Sequence, residues 1–248
     1  MARDFDPAAN QRISLATERE FTSSSKLSIS ALVYPDDFDS FGVIICKRTG
    51  GSAAYYLRLD GTTGQIAFGW TNGGSFNTYA LTPPAATAGV WQQVGCAFDW
   101  ASPGSVQLAL NGAVTTVNRN LGSGTTPDDP NVVETIGNRF DDAHQFDGKI
   151  AEVGAWDRVL TAAEWAVLGT FASPLAVARG LVIYLPLIGR TGTEPELMSH
   201  NTGTVTGAGR AEHPRVFYPT ARGLGRPNLS GFGLRGEALP VLTPGFVS

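Results

Sequence analysis

Between Arg12 and Asn138 the chain is a succession of short apolar runs: RISL, KLSISALVY, FGVIICKR, AAYYLRLD, QIAFGWT, NTYALT, VWQQVGCAFD, VQLALNG, AVTTVN and VETIGN. The breaks between runs are turn-forming residues: Pro35-Asp36-Asp37, Asp60-Gly61, Asn72-Gly73-Gly74, Pro83-Pro84 and Asn111-Gly112. Such residues supply the positive φ or the pre-set backbone that tight turns need. Runs of strand length at this spacing predict an antiparallel all-β sandwich of two sheets.

The stretch FDGKIAEVGAW, Phe146 to Trp156, turns on Asp147-Gly148 and then reads as a strand with Ile150, Val153 and Trp156 in the core. It runs into LTAAEW, the one strong helix signal. There Thr161 can cap the first turn while Glu164, three residues on, reaches back to the cap amide. Leu160, Trp165 and Leu168 then face the sheets, Gly169 can end the helix, and GLVIYLPLIG follows as a buried strand. Beyond Gly189 the chain turns rich in Gly, Pro and Arg with little periodicity. A segment of that kind buries little apolar surface by itself. Residues 1–190 are therefore expected as the sandwich and 191–248 as an extended C-terminal arm.

Composition narrows the function. In 248 residues there are 30 glycines and 15 prolines against 16% charged residues, which suits many short strands and excludes a long-helix protein. The net charge is −4 with no basic stripe, which argues against nucleic acid as a partner. No window approaches the roughly 20 apolar residues that span a bilayer, and the opening MARDFDPAANQRISL lacks the apolar centre of a signal peptide. Synthesis in the cytoplasm is expected. Cys46 and Cys96 both sit in strand-like runs and are expected as reduced, buried thiols.

In their order, ISALVYPDD, YYLRLDGTTGQIAF, WQQVGCAFD, VQLALNG, TIGN and FDGKIAEVGAWDRVLTAAEW resemble the laminin G-like branch of the concanavalin A-like lectin/glucanase superfamily, over residues 1–190. The resemblance implies a jelly-roll sandwich with one short helix capping an end. A looser resemblance, of YLPLIGRTGTEPELMSHNTGTVTGAGRAEHPRV to segments that follow such domains in bacteriophage-encoded proteins, implies a virion component.

That superfamily contains glycoside hydrolases, whose chemistry needs two carboxyl groups about 5 to 10 Å apart. Glucanases of this fold carry them in alternation along one strand. Glu18, Glu20, Glu134, Glu152, Glu164, Glu194, Glu196, Glu212 and Glu237 never make that pattern, and His144, His200 and His213 have no nucleophile or metal-ligand spacing, so no enzyme is expected. Calcium takes hard oxygens from flexible loops. Asp128, Asp129, Asp141 and Asp142 are the candidate ligands, set against the plain reading of Asp as a turn residue. Trp70, Phe76 and Tyr79 are candidate sugar-stacking aromatics, set against core packing.

Two readings follow. In the first the protein is a non-enzymatic structural or decoration protein of a phage particle. Its arm, through Phe217, Tyr218, Arg222, Arg226, Phe232, Arg235 and Phe246, contacts other structural subunits of capsid or tail, with self-association expected. In the second it is a glycan-binding adhesin, with or without calcium.

Overall fold

The computed structural model describes residues 1–16, 26–49, 52–72, 75–101, 105–118, 133–139, 144–189, 192–199 and 201–219. Each of the ten apolar runs contains a strand there. In chain order the strands are β1 (Ala2–Phe5), β2 (Arg12–Leu15), β3 (Lys26–Pro35), β4 (Gly42–Thr49), β5 (Ser52–Leu59), β6 (Gln65–Asn72), β7 (Ser75–Ala85) and β8 (Gln92–Asp99). They continue with β9 (Ser105–Leu110), β10 (Ala113–Asn118), β11 (Thr135–Ile136), β12 (Gly148–Trp156), β13 (Leu181–Leu185), β14 (Thr193–Pro195), β15 (Thr202–Thr206) and β16 (Gly209–Ala211). One helix, α1, covers Ala162–Gly169.

Among these residues the first sheet runs β10-β9-β8-β3-β12-β1-β16, with β13 also on β12, and the second runs β14-β15-β2-β11-β4-β5-β6-β7. All their pairings are antiparallel, as in the predicted sandwich. Ile29, Leu57, Phe68, Phe98, Ile150 and Val153 belong to one buried cluster between the sheets. Burying each such side chain stabilises the fold by about 1.5–3 kcal/mol. Cys46 and Cys96 are both free and buried, as expected, and burial pushes the Cys96 thiol well above its usual range. No described helix is long and apolar enough to cross a membrane.

The predicted capping box is present: the Glu164 amide donates to Thr161 Oγ1 at 3.3 Å, and the Thr161 amide donates to Glu164 Oε2 at 2.8 Å. Arg158 adds two hydrogen bonds to the same carboxylate, at 2.8 and 2.7 Å, and with them holds it down to about 2. Trp165 and Leu168 are buried against the first sheet, where Gly95 leaves room for the indole: a Cβ at 95 would stand 2.5 Å from it. Gly169 is the last residue of the helix, as expected, with Thr170 as its cap, and it serves a second end as well. A Cβ there would meet the Gly112 backbone at 2.4 Å, so the glycine permits close approach of a neighbouring turn.

β12 is the strand around which the first sheet is arranged. Along β3 its register passes from Ala151↔Leu32 to Gly154↔Ser30, which inserts one extra residue, a β-bulge. Glu152 occupies it with φ +53 and is buried. The bulge also marks a change of partner: β12 pairs with β1 through Gly148–Ile150 and with β13 from Val153 onward. The Glu152 carboxylate accepts from the Tyr184 hydroxyl at 2.8 Å and the Tyr218 hydroxyl at 3.2 Å, and lies 3.3 Å from His213 Nε2.

Two of those partners, His213 and Tyr218, come from the segment expected as a free arm. Its first part is instead built into the sandwich: β14 and β15 extend the second sheet beside β2, and β16 extends the first beside β1. Glu194 accepts from Arg3 Nε and from the Gly189 amide, and Glu196 accepts from the amides of Tyr184, Met198 and Ser199. The compact unit therefore runs to Tyr218, and the boundary expected at residue 190 falls inside it. Apolar periodicity missed these strands because polar anchors hold them. Phe217 and Tyr218 are half exposed, but the Phe217 backbone bonds to Phe171 and Ser173 of the same sandwich. Arg222, Arg226, Phe232, Arg235 and Phe246 lie outside the described residues.

Gly148 opens β12 with φ +124, and a Cβ there would stand 2.1 Å from the Tyr34 carbonyl oxygen. Gly148→Val is expected to lower stability by about 1–3 kcal/mol or more through backbone strain, with the clash adding to it. Urea unfolding of the variant measures this; an unchanged midpoint would refute it.

Candidate functional site

Parts of four connections meet at one end of the sandwich: residues 6–11, 36–41, 137–139 with 144–147, and 207–208. The ends of β1 and β3 and the start of β12 are in register there, since Phe5 pairs with Gly148 and Gly148 with Pro35. Turn residues expected to be solvated are thereby brought together around a cleft of about 260 Å³ lined by Asp4, Asp6, Gln11, Asp36, Asp147, Gly207 and Gly209. Lys149 Nζ stands 3.0 Å from Asp36 and 4.0 Å from Asp4, and so answers part of that charge. Burial, then the negative charges of Asp37 and Asp36, raise the Asp147 carboxyl to about 6. Asp4 is raised as well, by burial first, against the pull of Lys149.

The same connections carry an aromatic shelf. In β5 the alternation sends Leu57 and Leu59 into the core and leaves Tyr56 and Arg58 on the outer face of the second sheet. Tyr56 lies across Gly69, its pairing partner, where a Cβ would stand 2.5 Å from the ring. The Arg58 guanidinium carbon is 4.9 Å from the Tyr56 ring centroid and 4.2 Å from that of Phe41. Phe41 meets His144 edge-on at 5.5 Å, and its side of the shelf is open, at 37% exposure. Val43, Cys46, Tyr56, Arg58, Arg139 and His144 enclose a pocket of about 10 Å³, room for one water-sized atom.

Trp70 takes the core-packing place, the alternative to its reading as a sugar platform. It is buried, its ring 4.1 Å from that of Phe98 and 5.8 Å from that of Phe68, because its position in β6 faces the opposite sheet. Phe76 and Tyr79 stand in β7 opposite Thr71 and Phe68, and their side chains lie outside the described residues. Asp128, Asp129, Asp141 and Asp142 also lie outside them. Among the described residues no group of three or more acidic, His or Cys side chains is arranged to hold a metal ion. The sequence reading missed Phe41, Tyr56 and Arg58. The signal for the last two was the YYLRL alternation, which places an aromatic and a cation two residues apart on one face.

The Asp147 proton has a readable effect. A carboxyl whose folded value is near 6, above its ordinary 3.8, favours the folded state at low pH, and that contribution is lost as pH rises from about 4 through 6. Asp147→Asn is expected to remove this decline, raising the melting temperature above pH 6 with little change at pH 4. Equal melting curves for the two proteins across that range would contradict it.

A laminin G-like family model described as the concanavalin A-like lectin/glucanases superfamily matches residues 7–165. A search of curated proteins finds no match. Among solved structures, a candidate carbohydrate binding protein from Bacteroides ovatus ATCC 8483 is similar, with a TM-score of 0.62 and 21% identity over 84% of this chain and 58% of that one. The chain thus spans less than two thirds of that protein. The CBM40 of the Ruminococcus gnavus IT-sialidase, bound to alpha2,3 sialyllactose, matches with a TM-score of 0.51 and 16% identity over 68% of this chain and 98% of that one. The enzymatically active domain of bacteriophage CBA120 tailspike protein 2 matches with a TM-score of 0.55 and 12% identity over 74% of this chain and 29% of that one. These likenesses are of fold, and with the matched span and the two-sheet architecture they place the chain in its family: it belongs to the concanavalin A-like lectin/glucanase superfamily.

Proposed function

We propose that the protein is a non-catalytic carbohydrate-binding module that takes its sugar on the loop rim, against Phe41 and Arg58. The observation that carries this is the shelf itself: an open aromatic ring backed by a guanidinium, with an imidazole at its edge. A pyranose offers an apolar C–H face to a ring and hydroxyls to the donors around it. Membership of a superfamily of lectins supports the reading, as do the printed descriptions of the Bacteroides and Ruminococcus structures.

Asp147 is the group a hydrolase would need as its acid. In this reading it is instead a crowded rim carboxylate, in a cleft whose one aromatic, Phe5, is buried in the core. Titration with neutral and acidic oligosaccharides is expected to give saturable binding that Phe41→Ala weakens about tenfold, the equivalent of one lost stacking contact. No reducing ends should be released. Release abolished by Asp147→Asn would make the protein an enzyme. Calcium on Asp128, Asp129, Asp141 and Asp142 is a proposal from sequence alone, which an EDTA arm of the same titration decides: it fails if chelation changes neither binding nor melting temperature.

Display on a phage particle, held to other subunits by residues beyond Tyr218, is the second reading and rests on the C-terminal sequence. A chain ending at Pro219 keeps every strand described above, so it is expected to fold and bind sugar but not to attach to particles. Full occupancy by the shortened chain would end the virion reading and leave the sugar-binding one intact.

A further inference from the structure

Arg58 is stacked on two rings yet has no ion pair among the described residues. A planar, weakly hydrated guanidinium sits well on aromatic faces and keeps its in-plane N–H groups for a planar acceptor. Its Nε is buried, with no hydrogen-bond acceptor within reach among the described residues. The chain carries 22 acidic residues and a net charge of −4, yet none of the six residues around the adjoining pocket is acidic, and two besides Arg58 are Arg139 and His144. A buried donor left unanswered costs about 1–3 kcal/mol, and the small opening that Arg58 lines has room for one acceptor atom, a water or a ligand oxygen. The pocket holds one oxygen atom and excludes a ring.

We infer that Arg58 selects a carboxylate-bearing sugar of the uronic acid type: one carboxylate oxygen enters the pocket lined by Val43, Tyr56 and His144, while the pyranose rests on Phe41. This rests on the proposed sugar binding and names its substrate class. The guanidinium edge matches a carboxylate in plane and spacing. A sulfate ester brings three terminal oxygens to a pocket with room for one.

The test is made on the full chain by NMR of arginine Nε–H groups, with the Arg58 signal identified by its loss in Arg58→Lys. Methyl glucuronide, methyl glucoside, a sulfated glucoside and sodium acetate are titrated at constant ionic strength. The glucuronide is expected to shift the Arg58 signal and to bind about tenfold tighter than the glucoside, a charge-assisted pair being the difference. Arg58→Gln and Arg58→Lys should bring the two sugars within about twofold. The shift is read on unmodified protein, and the Arg58→Lys spectrum serves only to assign it, its remaining arginine signals unmoved as the mark of an intact fold.

Equal affinity for both sugars with an unmoved Arg58 signal overturns the inference and leaves sugar binding standing. Acetate or the sulfated sugar acting as well as the glucuronide also overturns it, the site then being a general anion site. If no sugar binds at all, both readings fall together.

Discussion

Arg3 and Glu194 are both withdrawn from water, and each is tolerable there because of the other. A buried charge left alone costs several kcal/mol, and breaking such a pair typically costs about 3–5 kcal/mol, so their joint burial is a strict condition on the fold. Arg3 lies in β1 of the first sheet and Glu194 in β14 of the second. The pair therefore spans the seam between the sheets on the side where both are completed by late strands. Arg3 also donates to the Ala208 carbonyl at 3.1 Å, in the turn that carries the chain from β15 to β16. Glu196 and Glu152 repeat the device, each carboxylate collecting donors from the C-terminal segment. Three glutamates thus do for residues 193–218 what apolar burial does for the rest.

The loop rim separates its charges. Carboxylates gather in the cleft at Asp4, Asp6, Asp36 and Asp147, with Lys149 as the local counter-charge, while the outer face of the second sheet carries Arg58 among aromatics. Asp36 and Asp147 line the cleft while Phe41, Arg139 and His144 border Arg58, so neighbouring connections present an acidic and a basic surface. Charge separated in this way sorts approaching groups by sign before their shape is tested.

Much of the architecture could be read from the chain. The ten apolar runs, the turn at Gly148, the capping box of Thr161 and Glu164 and the buried Trp156 were all legible because each rests on local periodicity or local chemistry. β14 to β16 were not. TEP, TGTVT and GRA have no apolar alternation, and what holds them, Glu194 and Glu196, makes its contacts far along the chain. The site was less legible still. Trp70 looks like Tyr56 in sequence, an aromatic in a strand, and only the pairing of sheets decides which of them faces the core. Phe41 opens the apolar run FGVIICKR yet lies one residue before β4, where the run does not tell that its ring stays open to solvent.

β1 finds its neighbours in β12 and β16, and β2 finds its own in β11 and β15. Both are thus synthesised well before any strand they pair with. Arg3 waits for Ile150 and then for Arg210, and the sheet edges stay open until residue 211 has been synthesised. Contacts this distant in sequence make for slow closure, and open edges are where chains pair wrongly with one another. The polar character of the late strands has a benefit in this light: a segment such as TGTVT, without apolar alternation, has little tendency to aggregate while it waits, and it commits only when Arg3 is in place to receive Glu194.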